Sequence, residues 1–353
     1  MTRFTLKTLA AASALALAAG AADARTYRVG YNIYVGFMPY GWMAENGVLD
    51  RWAEKYGIEI EMILVNDYVG GINQFVARDL DAMSVASMDA LTIPAAGGVD
   101  TTIAIAGDFS NGNDGILSKT ATDVAGLVGE TVHLFELTVS HYLLSRALEE
   151  NGFSLRDVRT VNVTDADIAP AWLATDAVSH AVAWNPMLLE MQNGYAGANR
   201  IFDSASTPEE IVDVLMFHTD TVRNEPEFVK AMVGAWYETM AIMSGGDEAA
   251  DAMIADLADA SGASVEDFLA QLASTHMYYT PEEAYELMTS ERHQQTWDFV
   301  RSFSFEVGLF GEMAASEDFI GIEFPDGTIL GDPDNVMLRI DASFTRMAID
   351  GDL

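Results

Sequence analysis

Residues 58–86 read IEIEMILVNDYVGGINQFVARDLDAMSVA, and their pattern changes period twice. Ile58, Ile60 and Met62 alternate with Glu59 and Glu61, then Ile63-Leu64-Val65 runs apolar, which marks a strand buried more deeply at its far end. Asn66-Asp67-Tyr68 breaks the run, Ile72–Leu80 reads as a helix, and Ala82–Ala86 as a brief apolar strand. Strands alternating with helices at this spacing predict parallel sheets covered on both faces.

The same alternation extends outward. Tyr27–Ile33 opens as a strand, followed by a helix through Trp42, Leu49 and Trp52 that ends near Gly57. Asp89–Ala96 reads as helical and Thr101–Ala106 as a β-branched strand, closed by the turn-rich segment Gly107–Gly115. A second round follows: strand Thr131–Phe135, helix Val139–Asn151, strand Val158–Val163, helix Ile168–Leu173 and strand Val178–Trp184, with a short strand at Ile201–Asp203. After Asp213–Phe217 the pattern is helical to about Phe310, with a capping sequence at Thr280-Pro281-Glu282-Glu283, and the tail beyond Gly311 is loop-rich. The expected fold is therefore α/β, with two lobes and a cleft between them. Each lobe is a mostly parallel sheet flanked by helices. Residues 25–118 begin lobe 1, 119–205 form lobe 2, 206–310 return to lobe 1 and its helical C-terminal part, and 311–353 are an extension.

Composition narrows what such a chain does. It has 353 residues, half of them apolar, so it can bury a real core despite a formal charge of −36. The absence of cysteine excludes disulfide scaffolds, iron–sulfur sites, thiol nucleophiles and a lipid-modified N-terminal cysteine. Its 54 acidic against 18 basic residues repel phosphate backbones and anionic bilayers at long range, which argues against nucleic-acid binding. Strong acidity with only four lysines also accords with tolerance of salt.

The N-terminus has the layout of an export signal. Arg3 and Lys7 precede an apolar run from Leu9 to Ala19, and Ala22-Asp23-Ala24 offers small residues where a signal peptidase reads. That run is shorter than the roughly 20 residues a spanning helix needs, and no later stretch is a candidate for membrane insertion. The expectation is cleavage after Ala24 and a free periplasmic protein, acting as a monomer.

In an α/β lobe, ligands bind where strand ends meet helix starts. Those junctions here contain Asp67, Asp89, Asp108, Asp114, Glu136, Asp165 and Asp167, together with Tyr34, Phe37, Tyr40, Tyr68, Phe109 and Trp184. None of the fourteen arginines or four lysines falls in them. A buried anion usually wants Arg or Lys, whereas a buried cation wants carboxylates at its N–H edges and aromatic faces over its plane. The inventory suits a cation. The competing reading is that each Asp is a helix cap or an Asx turn, as Asp165 and Asp167 are best explained. Glu136 follows an apolar strand end and is a poor cap, which favours a functional role. Asp89 and Glu136 are the first candidates for charge partners, with Asp67, Asp108 and Asp114 next. Tyr34, Phe37 and Trp184 are candidate stacking faces.

Catalytic and metal patterns are weak. The six histidines show neither His-x-x-x-His nor His-Glu-x-x-His spacing, and there is no Gly-x-Ser-x-Gly elbow or P-loop. The acidic loops at Asp108–Asp114 and Asp332–Asn335 lack the EF-hand register. Neither an enzyme nor a cofactor is expected; the alternative of an exported α/β hydrolase would need an activated nucleophile that no residue marks.

The stretches Tyr31–Pro39, Gly57–Val65 and Ala77–Ala82, with Asp176–Pro186 ending in Trp-Asn-Pro, resemble the nitrate/taurine/sulfonate class of periplasmic substrate-binding proteins. The resemblance runs from about residue 26 to 300. It implies a two-lobed, type II-like binding-protein fold, a small-molecule ligand in the cleft, and a membrane permease of an ABC transporter as partner. Ser87–Asp100 and Gly107–Gly115 are closer to a subgroup encoded beside urea carboxylase-type enzymes, which implies guanidinium or a urea-like ligand. Taurine or sulfonate binding, or binding of a pyrimidine-type precursor, is the alternative on the same fold.

Overall fold

The computed structural model describes residues 25–353; the expected signal segment, residues 1–24, lies outside them. In chain order the strands are β1 Thr26–Tyr31, β2 Glu59–Leu64, β3 Ala82–Ala86, β4 Thr101–Ser110, β5 Asp114–Ser118, β6 Thr131–Leu134 and β7 Arg159–Asn162. They continue as β8 His180–Trp184, β9 Asn199–Asp203, β10 Val212–His218, β11 Thr275–Met277, β12 Gly321–Glu323, β13 Ile329–Leu330 and β14 Val336–Ile340. The larger sheet has the order β13-β12-β14-β4-β10-β3-β1-β2, with β11 on β4, and the smaller sheet the order β7-β6-β8-β5-β9. Helices flank both, so the architecture is α/β with two lobes.

The sheets are mixed rather than mostly parallel. β1 runs parallel to β2 and β3, and β6 parallel to β7 and β8, as crossover helices require. The strands that carry the chain between lobes break that rule. β4 leads into β5, which lies antiparallel to β8 and β9, and β10 returns antiparallel to both β3 and β4. Thus Asp114–Ser118, expected in lobe 1, belongs to the smaller sheet. The chain passes between sheets twice, at residues 111–113 and 204–211. The two passages are tied together. Ser110 Oγ and Ser204 Oγ are 2.6 Å apart, and the Gly112 N–H donates to Ser204 Oγ at 2.8 Å.

Two segments differ from expectation. Gly107-Asp108-Phe109-Ser110 reads as a turn but continues β4, fully buried, because its polar residues face other polar residues inside the protein. The tail beyond Gly311 is not loop: β12, β13 and β14 extend the larger sheet, with β14 parallel to β4. These strands are only two to five residues long and interrupted by Gly, Pro and Asp, so their composition reads as loop. Arg339 fastens β14 by an ion pair to Asp100 and a second, at 3.1 Å, to Glu323.

Local signals elsewhere act as written. Gly47, with φ of 70°, splits the first helical region into Met38–Glu45 and Val48–Tyr56, and Gly57 closes the second at φ of 68°. Thr280 and Glu283 form the reciprocal capping box that starts the helix Pro281–Thr289. Trp236, Phe217, Phe228 and Trp297 fill the larger core, and Trp172 with Leu117, Leu188 and Met191 a satellite core in the smaller lobe. Lys119 is committed to that satellite core: its Nζ donates to the carbonyls of Trp172 and Thr175 at 2.7 and 2.8 Å. Among the described residues no helix is long and apolar enough to cross a membrane.

Candidate functional site

A cavity of about 340 Å³ opens between the two sheets. The larger lobe lines it with Asn32, Ile33, Tyr34, Phe37, Asn66, Tyr68, Ala86, Ile211 and Asp213. The smaller lobe and its approach supply Asp114, Val139, Asp165, Ala166, Ala169, Pro170, Trp184, Pro186, Met187 and Glu190. No Arg, Lys or His among the described residues lines it.

Strand register explains how the acids converge. Asp213, the second residue of β10, sits between two neighbours, with Ala86 at the end of β3 on one side and Asp108 of β4 on the other. Asp114 starts β5 just past the first passage between sheets, opposite Trp184 at the end of β8. Asp89 sits in the first turn of the helix that follows β3. All four carboxyls are deeply buried, at 1% exposure for Asp89, 0% for Asp108, 3% for Asp114 and 6% for Asp213. Buried charge is normally paired with an opposite charge. Three of them find hydroxyls instead, and Asp213 lies against Asp108. Tyr68 Oη donates to Asp89 Oδ2 at 2.6 Å, Tyr34 Oη to Asp108 Oδ1 at 3.0 Å, and Ser110 Oγ to Asp114 Oδ2 at 2.6 Å. Asp89 Oδ1 and Asp114 Oδ1 have no hydrogen-bond partner among the described residues.

Burial without a cation dictates protonation. It pushes Asp89 up to about 7 and Asp114 up to about 6, each against the opposing pull of its hydroxyl donor. Asp108 and Asp213 face each other. Burial raises both, and Asp213 is raised further by the charges of Asp108 and Asp114, so the two resist ionising together and titrate as a pair. Tyr34 and Tyr68 are held well above the usual phenol range by burial and by the acids beside them. The arrangement accepts positive charge: each carboxyl ionises more readily once a cation arrives.

Aromatic faces stand beside the acids. Tyr34 and Phe37 meet edge to face with centroids 4.9 Å apart, and Tyr68 and Trp184 lie 6.5 Å apart across the two lobes. Gly36, between Tyr34 and Phe37, has no room for a side chain, since a Cβ there would overlap Asp108 Oδ2 and the Tyr34 ring. The loop must pass that close for the Tyr34 hydroxyl to reach Asp108.

Of the residues singled out from sequence, Tyr34, Phe37, Trp184 and Asp114 line the cavity. Asp108 stands behind Tyr34 and Asp89 behind Tyr68. The structure does not bring Glu136 or Asp67 to the cavity wall. Glu136 is half-buried at the end of β6, its N–H bonded to Asn162 Oδ1, and Thr138 caps the following helix. Asp67 is exposed and caps the helix Tyr68–Val76, accepting from the Gly70 N–H at 2.9 Å. Sequence reasoning missed Asp213 as a site residue and passed over Asn32 and Glu190. Asp165, read as a cap, lies in the first turn after Thr164 and also faces the cavity. Among the described residues there is no group of three His, Asp or Glu arranged to hold a metal ion.

Comparison with known proteins agrees with this architecture. Residues 52–250, more than half of the chain, match the family described as NMT1/THI5 like, and the chain belongs to it. A search of curated proteins gave no match. Among solved structures, one similar fold is a putative sulfonate ABC transporter component, the periplasmic sulfonate-binding protein SsuA from Methylobacillus flagellatus KT. It has a TM-score of 0.69 and 15% identity, over 93% of this chain and 95% of that one. The periplasmic nitrate-binding protein NrtA from Synechocystis PCC 6803 gives a TM-score of 0.66 and 14% identity, over 93% and 89%. The desulfurization enzyme DszB gives 0.59 and 15%, over 92% and 99%. The fold is therefore that of two-lobed periplasmic binding proteins, and one enzyme shares it.

Proposed function

Taking membership of the NMT1/THI5-like family as premise, we propose that the protein is the solute-binding component of an ABC importer. In this reading residues 1–24 direct export, the rest works as a periplasmic monomer, and the ligand is a small planar nitrogen-rich cation of the guanidinium type. The protein performs no chemistry; it captures the ligand between its lobes and presents it to a membrane permease. Similarity to carriers such as SsuA and NrtA supports the carrier role. The charge of the ligand rests on one observation, four buried carboxyls around a cavity whose described lining has no basic side chain.

Asp114 and Asp213 supply acceptors for N–H donors, with Asp108 and Asp89 held behind them by Tyr34 and Tyr68. Trp184, Tyr34 and Phe37 offer faces for a delocalised cation. Contacts from both lobes favour the closed arrangement, so binding and closure are linked. Sulfonate and nitrate, the ligands named for those neighbours, would meet unpartnered carboxylate oxygens here, which disfavours them. A thermal-shift series with guanidinium, urea, taurine and nitrate tests the reading, because a ligand that binds only the folded state stabilises it by an amount that grows with the logarithm of its concentration over Kd. Guanidinium alone is expected to raise the melting temperature. A shift with taurine or nitrate and none with guanidinium would refute the cationic ligand.

A further inference from the structure

Two deeply buried carboxyls stand in the cavity wall, Asp165 and Glu190 line it at more exposed positions, and apolar side chains form most of the rest. Asp114 and Asp213 are 3% and 6% exposed, and Asp114 Oδ1 is unpartnered among the described residues. Ile33, Phe37, Val139, Trp184, Met187 and Ile211 supply the apolar surface. Guanidinium has four heavy atoms, the space of two or three waters at about 30 Å³ each. The cavity of about 340 Å³ is several times larger and falls in the range of sites for ligands with a substantial apolar body. A bare cation would leave water against the apolar wall, whereas an attached hydrocarbon would displace it favourably.

Resting on the cationic reading above, we propose that the ligand is an amphiphilic organic cation, with an amidinium or ammonium head at Asp114 and Asp213 and an alkyl or aryl body on Trp184, Met187 and Ile211. Charge selects the head, and the apolar wall selects the body. Doubly anionic bodies are disfavoured, because Asp165 and Glu190 also line the cavity.

Titration calorimetry of the purified protein with guanidinium, n-butylguanidinium, n-butylurea and butanesulfonate tests this. At about fourfold per buried methylene, n-butylguanidinium should bind at least thirtyfold more tightly than guanidinium. Met187→Ala should lower n-butylguanidinium affinity at least about threefold. Equal affinity for the two cations would overturn this inference and leave the cationic reading standing. If n-butylurea or butanesulfonate bound as tightly as n-butylguanidinium, the cationic reading would fail. Binding of neither cation would overturn both.

Discussion

Glu210 and Asp213 lie three residues apart in the chain and meet opposite surroundings. Glu210 is enclosed by donors: Arg146 Nε reaches it at 2.8 Å and Tyr142 Oη at 2.9 Å. Burial opposes the charge of Arg146, but Glu210 and Glu149 outweigh it and raise that guanidinium further. Asp213 faces Asp108 and Asp114, and its carboxyl rises through burial first and then because these neighbours are negative. At Glu210 the protein supplies its own counter-charge; at Asp213 it supplies more of the same sign. Glu210 is neutralised from within the fold, and in the proposed reading the acids of the cavity await an external cation.

The largest effect expected from this contrast is on binding. Asp114→Asn or Asp213→Asn removes one partner of a buried charge pair, which costs about 2–5 kcal/mol. Calorimetry should therefore show guanidinium affinity falling at least about thirtyfold in either variant. The same substitutions should leave the ligand-free protein as stable or more so, since they relieve repulsion. Unchanged affinity in both would erase the distinction between the two regions.

Next comes pH. Asp89 and Asp114 titrate near 7 and 6 in the fold but near 3.8 when unfolded, so their protonated forms favour the native state. Their contribution to the stability of the ligand-free protein is fully present below about pH 4 and is lost as pH rises through 6 and 7. A carboxyl that titrates one pH unit higher in the fold than in the unfolded chain contributes about 1.4 kcal/mol, so the loss from these two together is at most about 7 kcal/mol. Burial also lowers His141, His180, His218 and His293, whose contribution runs the other way below about pH 6.5. Denaturation midpoints recorded from pH 6.5 to 8 should therefore fall for the ligand-free protein and stay flatter with saturating guanidinium. Affinity should rise over the same interval. A midpoint that climbs with pH would contradict the buried, unpaired state of these acids.

Glu210→Gln should act on stability alone. It should destabilise the fold by about 2 kcal/mol, less than the roughly 3–5 kcal/mol of a wholly buried pair, because Glu149 still holds Arg146 at 2.7 Å. Chemical denaturation should register the loss while guanidinium affinity stays the same. The smallest effect is Asp67→Ala, which removes a helix cap worth about 1 kcal/mol and should not touch binding.

Much of this contrast is visible in sequence, and its omissions have physical causes. The strands and helices from Tyr27 to Trp184 announce themselves through short apolar runs punctuated by Gly, Asn and Asp. That spacing also points to the strand ends as the binding region, and so to Tyr34, Phe37, Asp114 and Trp184. What the chain hides is register. Asp213 reads as the polar lip of an apolar strand, and only pairing with β3 and β4 brings it against Asp108. The same pairing turns Gly107–Ser110 from an apparent turn into strand. Glu136 drew attention because Glu rarely caps a helix, but Thr138 two residues on performs that task. Tyr68 stood among the junction aromatics without a role; its hydrogen bond to Asp89 is a tertiary fact.

The first passage between the sheets has a mechanical meaning. Asp108 and Asp114 stand on opposite sides of residues 111–113, the same few peptides that must bend if the lobes rotate. Burial keeps the two acids from ionising together while the site is empty, so a rotation there would meet little resistance from charge. A cation seated between them would be drawn to both sides of the joint, and recognition and movement would then be one event at one place.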